Sequence, residues 1–243
     1  MIHRFCQRVA ARKNAVLIGF LFLFSAEAAT SQSDALSAMQ RITGAYQTQS
    51  ALRFSGKMIM YRKGEPHRII ETMSAKYLIQ GNNVSCTFGP MQILMNSDYY
   101  VSVDNSIRIM VVGRNRDLAA TGQLPVLNIG KLKEWVAGNK ISATLVKEKA
   151  EDVVELSDSR QLSGFSRYRI RFTPAGFLTS VVMETSDYHS NAGPVMVLEV
   201  NYSKPAVIES SRTDFSERTF FSLYHNRPRV AAKFTGYQVI NQL

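Results

Sequence analysis

At 243 residues, 45% of them hydrophobic, the chain can form one sizeable domain or at most two small ones around a real core. Its formal net charge is +10, yet it carries no nucleic-acid-binding signature, so no nucleic-acid partner is expected. Two cysteines and four scattered histidines exclude a disulfide framework and offer no zinc-ligand spacing, so neither a metal nor another cofactor is expected.

The chain opens with Arg4, Arg8, Arg12 and Lys13 and no acid, followed by the apolar run AVLIGFLFLFSAEAA. The run is short for a membrane-spanning helix, and Ala26-Glu27-Ala28 fits a signal-peptidase site. Residues 1–28 are therefore read as a signal peptide, cleaved after Ala28, and residues 29–243 as a single periplasmic domain. An uncleaved anchor would export the same body. Cleavage leaves 25 bases against 18 acids and one cysteine, Cys86. Cys6 precedes the apolar run, so it is not the acylated cysteine that follows a lipoprotein signal. Val84, Cys86 and Phe88 share one parity, which makes Cys86 a buried strand thiol.

Ser33 or Asp34 is positioned to cap a helix from Ala35 to about Ser50, whose Leu36, Met39, Ile42 and Tyr46 form one apolar stripe. Strands dominate after that. LRFSGKMIMYRKG and HRIIETMSAKYLIQG alternate in polarity around a Gly-Glu-Pro turn, and NVSCTFG and MQILM follow behind further Gly, Asn and Pro turns. In YYVSVDNSIRIMVV, Tyr99, Val101 and Val103 form one face, and Tyr100, Met110 and Val112 make the second face apolar too. Such a sheet must be covered on both sides. A second helix is expected over Leu124 to Ala137, with Pro125 near its start, the lone Trp135 within it and Gly138 as its stop. Strands return in ISATLVKEK, DVVELSD, SRYRIRFT, FLTSVVMET, PVMVLEVNYSK and RVAAKFTGYQVI, with a short helix near FSERTFFSL. The fold class is mainly β with α: a large curved antiparallel meander with two helical segments, which either closes into a barrel or leaves a concave side for the helices to cover.

No nucleophile elbow, P-loop or dinucleotide fingerprint is present. His67, His189 and His225 read as surface residues, and Glu71, Glu184 and Glu199 as strand charges facing solvent or paired with arginines. Arg167, Arg169 and Arg171 alternate with Tyr168, Ile170 and Phe172, giving one strand an apolar face and a cationic one. Methionines recur on the strands, and thioethers suit a surface that must fit variable apolar shapes.

Several segments resemble the Lol family of periplasmic lipoprotein carriers. An amphipathic helix leads into a strand with Phe54-Ser55-Gly56, and Ser97-Asp98-Tyr99-Tyr100-Val101-Ser102-Val103-Asp104 is similar to that family's Asp-Gly-x-x-hydrophobic-x-Tyr-Asp segment. Leu124-Pro125-Val126-Leu127 resembles its proline-led helix, and Tyr168 to Phe172 with Gly176-Phe177-Leu178 resembles a later hairpin. The chain departs from the family at Ser74-Ala75-Lys76-Tyr77-Leu78, where carriers often have an arginine-proline pair and a tryptophan. The resemblance implies an incomplete β-barrel covered by helices, with a hydrophobic cavity for acyl chains.

The expected function is thus a soluble, monomeric, non-enzymatic carrier that binds lipid or lipoprotein acyl chains for delivery to the outer membrane, between inner- and outer-membrane handover proteins. The cavity is expected to be lined by Met58, Met60, Met73, Tyr77, Met95, Tyr100, Met110, Leu127, Trp135, Phe172, Met183 and Met196. The alternatives are an envelope sensor or assembly factor of the same architecture acting by protein contact, and, third, an envelope hydrolase with converging carboxylates.

Overall fold

A computed structural model describes residues 32–47, 50–115, 129–138, 140–148, 150–157, 165–185, 195–210, 212–225 and 227–243. The expected signal peptide, Pro125 and Leu127 lie outside the described residues.

The first helix, α1, spans 32–46 and buries Ala35, Ala38, Met39, Ile42 and Tyr46, a stripe at spacings of three and four. It starts earlier than expected, so Ser33 and Asp34 lie in its first turn; the Ser37 hydroxyl donates to Ser33 O at 3.0 Å. It stops at Tyr46 rather than near Ser50, where Gln47 N donates back to Gly44 O in a tightened last turn.

Six strands follow as an antiparallel meander: β1 (Ala51–Arg62), β2 (Ile69–Gln80), β3 (Asn83–Phe88), β4 (Met91–Met95), β5 (Tyr99–Asp104) and β6 (Ile109–Arg114). The second helix, α2 (Ile129–Ala137), precedes another meander of β7 (Ser142–Lys147), β8 (Asp152–Ser157), β9 (Phe165–Phe172), β10 (Leu178–Thr185) and β11 (Met196–Tyr202). The two meanders fuse where β11 pairs with β1 over Gly56 to Arg62. The chain then breaks at Ser203-Lys204-Pro205, and β12 (Ala206–Ile208) continues along the first residues of β1. Ser203 holds this break: its N donates to Ser55 O, and its hydroxyl accepts from Ser55 N, each at 2.9 Å.

The C-terminal part holds 3-10 turns at Arg212–Phe215 and Glu217–Thr219 where a short helix was expected. A separate hairpin, β13 (Phe221–Tyr224) with β14 (Arg227–Val230), comes next, and then β15 (Gln238–Gln242). The expected single strand at RVAAKFTGYQVI is thus two strands around a 3-10 turn at Ala232–Phe234. β15 pairs parallel with β6, the exception to the antiparallel pattern. Parallel pairing requires a long crossover, and residues 209–237 supply it. The resulting thirteen-stranded sheet is large, curved and unclosed, with β7 and β15 at its edges.

Both faces of β4 and β5 are covered, and β6 is covered on the face that carries Met110 and Val112. Beneath α1 and α2 lie Leu52, Phe54, Tyr77, Ile79, Val84, Ile93 and Tyr100, joined by Ile170, Phe172 and Val181 from the second meander. On the opposite face Leu94, Val101, Val103, Met110 and Val112 pack against Phe215, Phe220, Phe221 and Phe234. The C-terminal crossover is therefore the second cover. Tyr100 does not share a face with Met110 and Val112 as expected: Val101 pairs with Val112 and Val103 with Met110, so sequence parity reverses across the turn. Tyr100 faces the helices, while Met110 and Val112 face away from them.

Candidate functional site

The two helices lie side by side with opposed chain directions, since Gln32 Nε2 donates to Val136 O at 2.9 Å and Lys133 Nζ to Gln40 Oε1 at 2.8 Å. Met39 and Ile42 on α1, and Leu132 and Val136 on α2, are buried against the sheet. Arg41 fixes α1 over the second meander, its guanidinium ion-paired with Asp152 and 5.1 Å from the Phe172 ring centroid. The helix also sits on the β9–β10 turn, where Leu178 N donates to the Tyr46 hydroxyl at 3.1 Å.

An aromatic cluster occupies the floor near the C-terminal end of α1. Phe54 stacks on Tyr77 at 4.8 Å, and Tyr46 and Tyr202 approach Phe54 at 5.6 and 6.2 Å. Gly56 makes room for it: a Cβ there would stand 3.3 Å from the Tyr77 ring and 3.4 Å from the Tyr202 ring. Burial pushes the Tyr46 phenol up to about 12 and raises Tyr77 and Tyr202 as well, so these rings act as neutral apolar surface. Tyr77 pairs across to Cys86, whose thiol burial pushes up to about 12. Cys86 is a buried strand thiol and an unreactive one.

Beside this cluster a hollow of about 330 Å³ opens between the end of α1, the β2–β3 turn and the start of α2. Ile42, Ile79, Val84, Met95 and Ile129 supply apolar walls, and Thr43, Gln47, Asn82 and Asn115 polar groups. Apolar walls with a few polar groups are the general character of small-molecule sites. Toward the other end of β1, the same face carries Met58 and Met183, both buried, and Met60, Met73, Met196 and Leu198, which remain half-buried.

Of the expected lining residues, Met58, Tyr77, Tyr100, Phe172 and Met183 are buried on the helix side of the sheet, and Met60, Met73, Met95, Met196 and Trp135 are half-buried there. Only Met95 among them borders the hollow. Met110 is fully buried on the opposite face, and Leu127 lies outside the described residues. Ile79 and Val84 were legible as strand residues and Ile42 as part of the helix stripe, but nothing local signalled that they meet.

On the far side of the sheet the β9 arginines are not a free cationic stripe. Arg167 and Arg169 pair with Glu155, and Arg169 and Arg171 with Glu148. Glu184 and Glu199 border the same groove with Tyr61, but Glu184 pairs with Lys63 at 2.7 Å, and Glu199 accepts from Asn201 at 2.8 Å and from Tyr61 at 3.3 Å. Both carboxylates are thus engaged with neighbouring side chains. Among the described residues no group of three or more His, Cys, Asp or Glu side chains could hold a metal ion.

No family model and no curated protein matches the chain. Several solved structures are similar to it. An uncharacterized conserved protein from Thermus thermophilus shares 8% identity at a TM-score of 0.48, over 86% of this chain and 99% of that one. A LolA superfamily protein from Nitrosomonas europaea shares 12% at a TM-score of 0.35, over 76% and 98%. The Pseudomonas aeruginosa MucA/MucB complex contributes a chain sharing 10% at a TM-score of 0.38, over 82% and 63%. The functional reading rests on this chain's own residues.

Proposed function

We propose that this protein is an exported carrier that shelters an acyl chain, of a lipid or of a lipoprotein, between its two helices and the concave sheet. Residues 1–28 act as the export signal, and the periplasm is the working compartment. The observation that carries this reading is the hollow of about 330 Å³ walled by Ile42, Ile79, Val84, Met95 and Ile129. That volume lies at the lower end of the roughly 300 to 1,000 Å³ typical of small-ligand sites, which suits a slender chain. Each methylene buried there gains about 0.8 kcal/mol, and no covalent step is needed. Release requires α1 or α2 to move aside, so handover proteins in the two membranes would act on the helices rather than on the sheet.

A second reading has its own support. Met39, Ile42, Leu132 and Val136 are buried against the helix side of the sheet, leaving less room than a deep lipid cavity would have. This favours an envelope sensor or assembly factor that uses the sheet and helices as a protein-binding surface.

Native mass spectrometry of the protein purified gently from a periplasm, followed by organic extraction, separates the two. A one-to-one acylated species supports the carrier and names its cargo class. Bare protein that stays bare after incubation with a lipopeptide sinks the carrier reading.

A further inference from the structure

Each β9 arginine is ion-paired with Glu148 or Glu155, so cations without an ion-pair partner have to be sought elsewhere. From Arg218 to Leu243 the sequence has four bases, Arg218, Arg227, Arg229 and Lys233, and no aspartate or glutamate. All four are exposed, and none forms an ion pair among the described residues. Lys233 lies instead over the Phe220 and Phe234 rings, at 5.2 and 4.8 Å.

Two of these cations stand on the β13–β14 hairpin, which pairs with no strand of the main sheet. Its base is anchored: Phe221, opposite Val230, is buried and meets the Tyr99 ring edge-on at 5.4 Å. Beyond the base, Tyr224 stands opposite Arg227 and Ser222 opposite Arg229, so one face of the hairpin presents an aromatic ring and two guanidinium groups. Tyr224 is 66% exposed, and Leu223 lies on the other face of the hairpin, with Phe221.

We infer that this hairpin docks the protein on a bilayer surface bearing anionic lipid headgroups. Arg227 and Arg229 meet lipid phosphates, while Tyr224 on the same face sits at the headgroup level, where an amphipathic ring is at home. One exposed ring flanked by two arginines falls far short of the roughly 800 Å² that each partner buries in a stable protein interface, whereas a bilayer demands no shape match. The hairpin is anchored on the sheet face opposite the helices, so the inference does not depend on the acyl-chain reading.

The test is co-sedimentation of periplasm-purified protein with phosphatidylcholine vesicles, with and without phosphatidylglycerol. Binding is expected only when phosphatidylglycerol is present and should weaken as salt is added. Each arginine contributes about a fivefold affinity gain near such a surface, so Arg227→Ala with Arg229→Ala should weaken binding about 25-fold. Tyr224→Ser should weaken it further, and Arg167→Gln, which removes a paired cation, should leave it unchanged. All of these sites are exposed or half-exposed, and an unaltered thermal transition confirms that each variant folds. No binding to either vesicle, equal binding to both, or full binding by the double variant overturns the inference. So does capture by an immobilised acidic polypeptide in the absence of vesicle binding, which would make the partner a protein.

Discussion

Val103 stands directly opposite Met110 in the β5–β6 hairpin, and neither side chain exposes any surface. The pair belongs to the core between the sheet and Phe215, Phe220, Phe221 and Phe234, away from the helices. Met110→Ala should therefore cost about 2–5 kcal/mol of stability by urea denaturation. Binding of a fluorescent fatty acid by the folded variant should be unchanged; lost binding at full stability would put Met110 in the ligand site instead.

Met95 gives the opposite expectation. It is half-buried and borders the hollow, so a larger ring can grow into existing space. Met95→Trp should displace the fatty acid probe while costing no more than the roughly 1–3 kcal/mol of a tightened site. Unaltered probe affinity in a folded variant would move the acyl chain elsewhere, the methionine strip at the other end of β1 being the next place to look.

Gly176 couples the β9–β10 turn to α1. Its φ is +90°, and a Cβ there would stand 2.6 Å from Arg41 O and 3.0 Å from Ala45 Cβ. Gly176→Ala combines backbone strain of roughly 1–3 kcal/mol with a collision against helix backbone. The expected result is a lower thermal transition together with faster amide exchange across 32–46. A shift confined to the turn, with α1 still protected, would show that the helix is held mainly by its apolar stripe.

Burial of Cys86 and Tyr46 predicts an alkaline weakness. The thiol is raised from 9.0 to about 12 and the phenol from 10.0 to about 12, while the unfolded chain ionises both at the ordinary values. Their contribution is intact below pH 9.0. Above it the unfolded state sheds protons that the folded state keeps, so stability falls, first through Cys86 and past 10.0 through Tyr46 too, until about pH 12. Urea midpoints should follow that course, with the first part of the decline missing in Cys86→Ala. A flat profile through this range would mean that water reaches both groups.

Much of this architecture is legible from local pattern. The spacing of Met39, Ile42 and Tyr46 marks a helix that lies on something, and the alternation along β1–β6 marks strands separated by Gly, Asn and Pro turns. What escapes local reading depends on how distant segments meet. The turn between Asp104 and Ile109 decides whether Met110 falls with Tyr100 or with Val103, and strand periodicity is silent about that turn. The β9 arginines look free until β8 brings Glu155 alongside and the β7–β8 turn brings Glu148. The hollow draws its walls from α1, β2, β3, β4 and α2, so none of these segments announces it alone. Isoleucine and valine make most of its apolar wall, with Met95 beside them.

The parallel pairing of β15 with β6 sets an order of events during biogenesis. Gln238 pairs with Ile109, and the phenylalanines that cover Met110 lie between residues 215 and 234. Contacts so distant along the chain form slowly, because a long loop must close before they contribute. A chain emerging N-terminus first can build β1–β6 and seat α1 early, yet Leu94, Val101, Val103, Met110 and Val112 stay bare until the crossover arrives. During that interval β6 also offers an unpaired edge, the combination that promotes intermolecular strand pairing. The vulnerable species is therefore a late intermediate with its helix side complete, and truncation before Phe215 would hold the protein there.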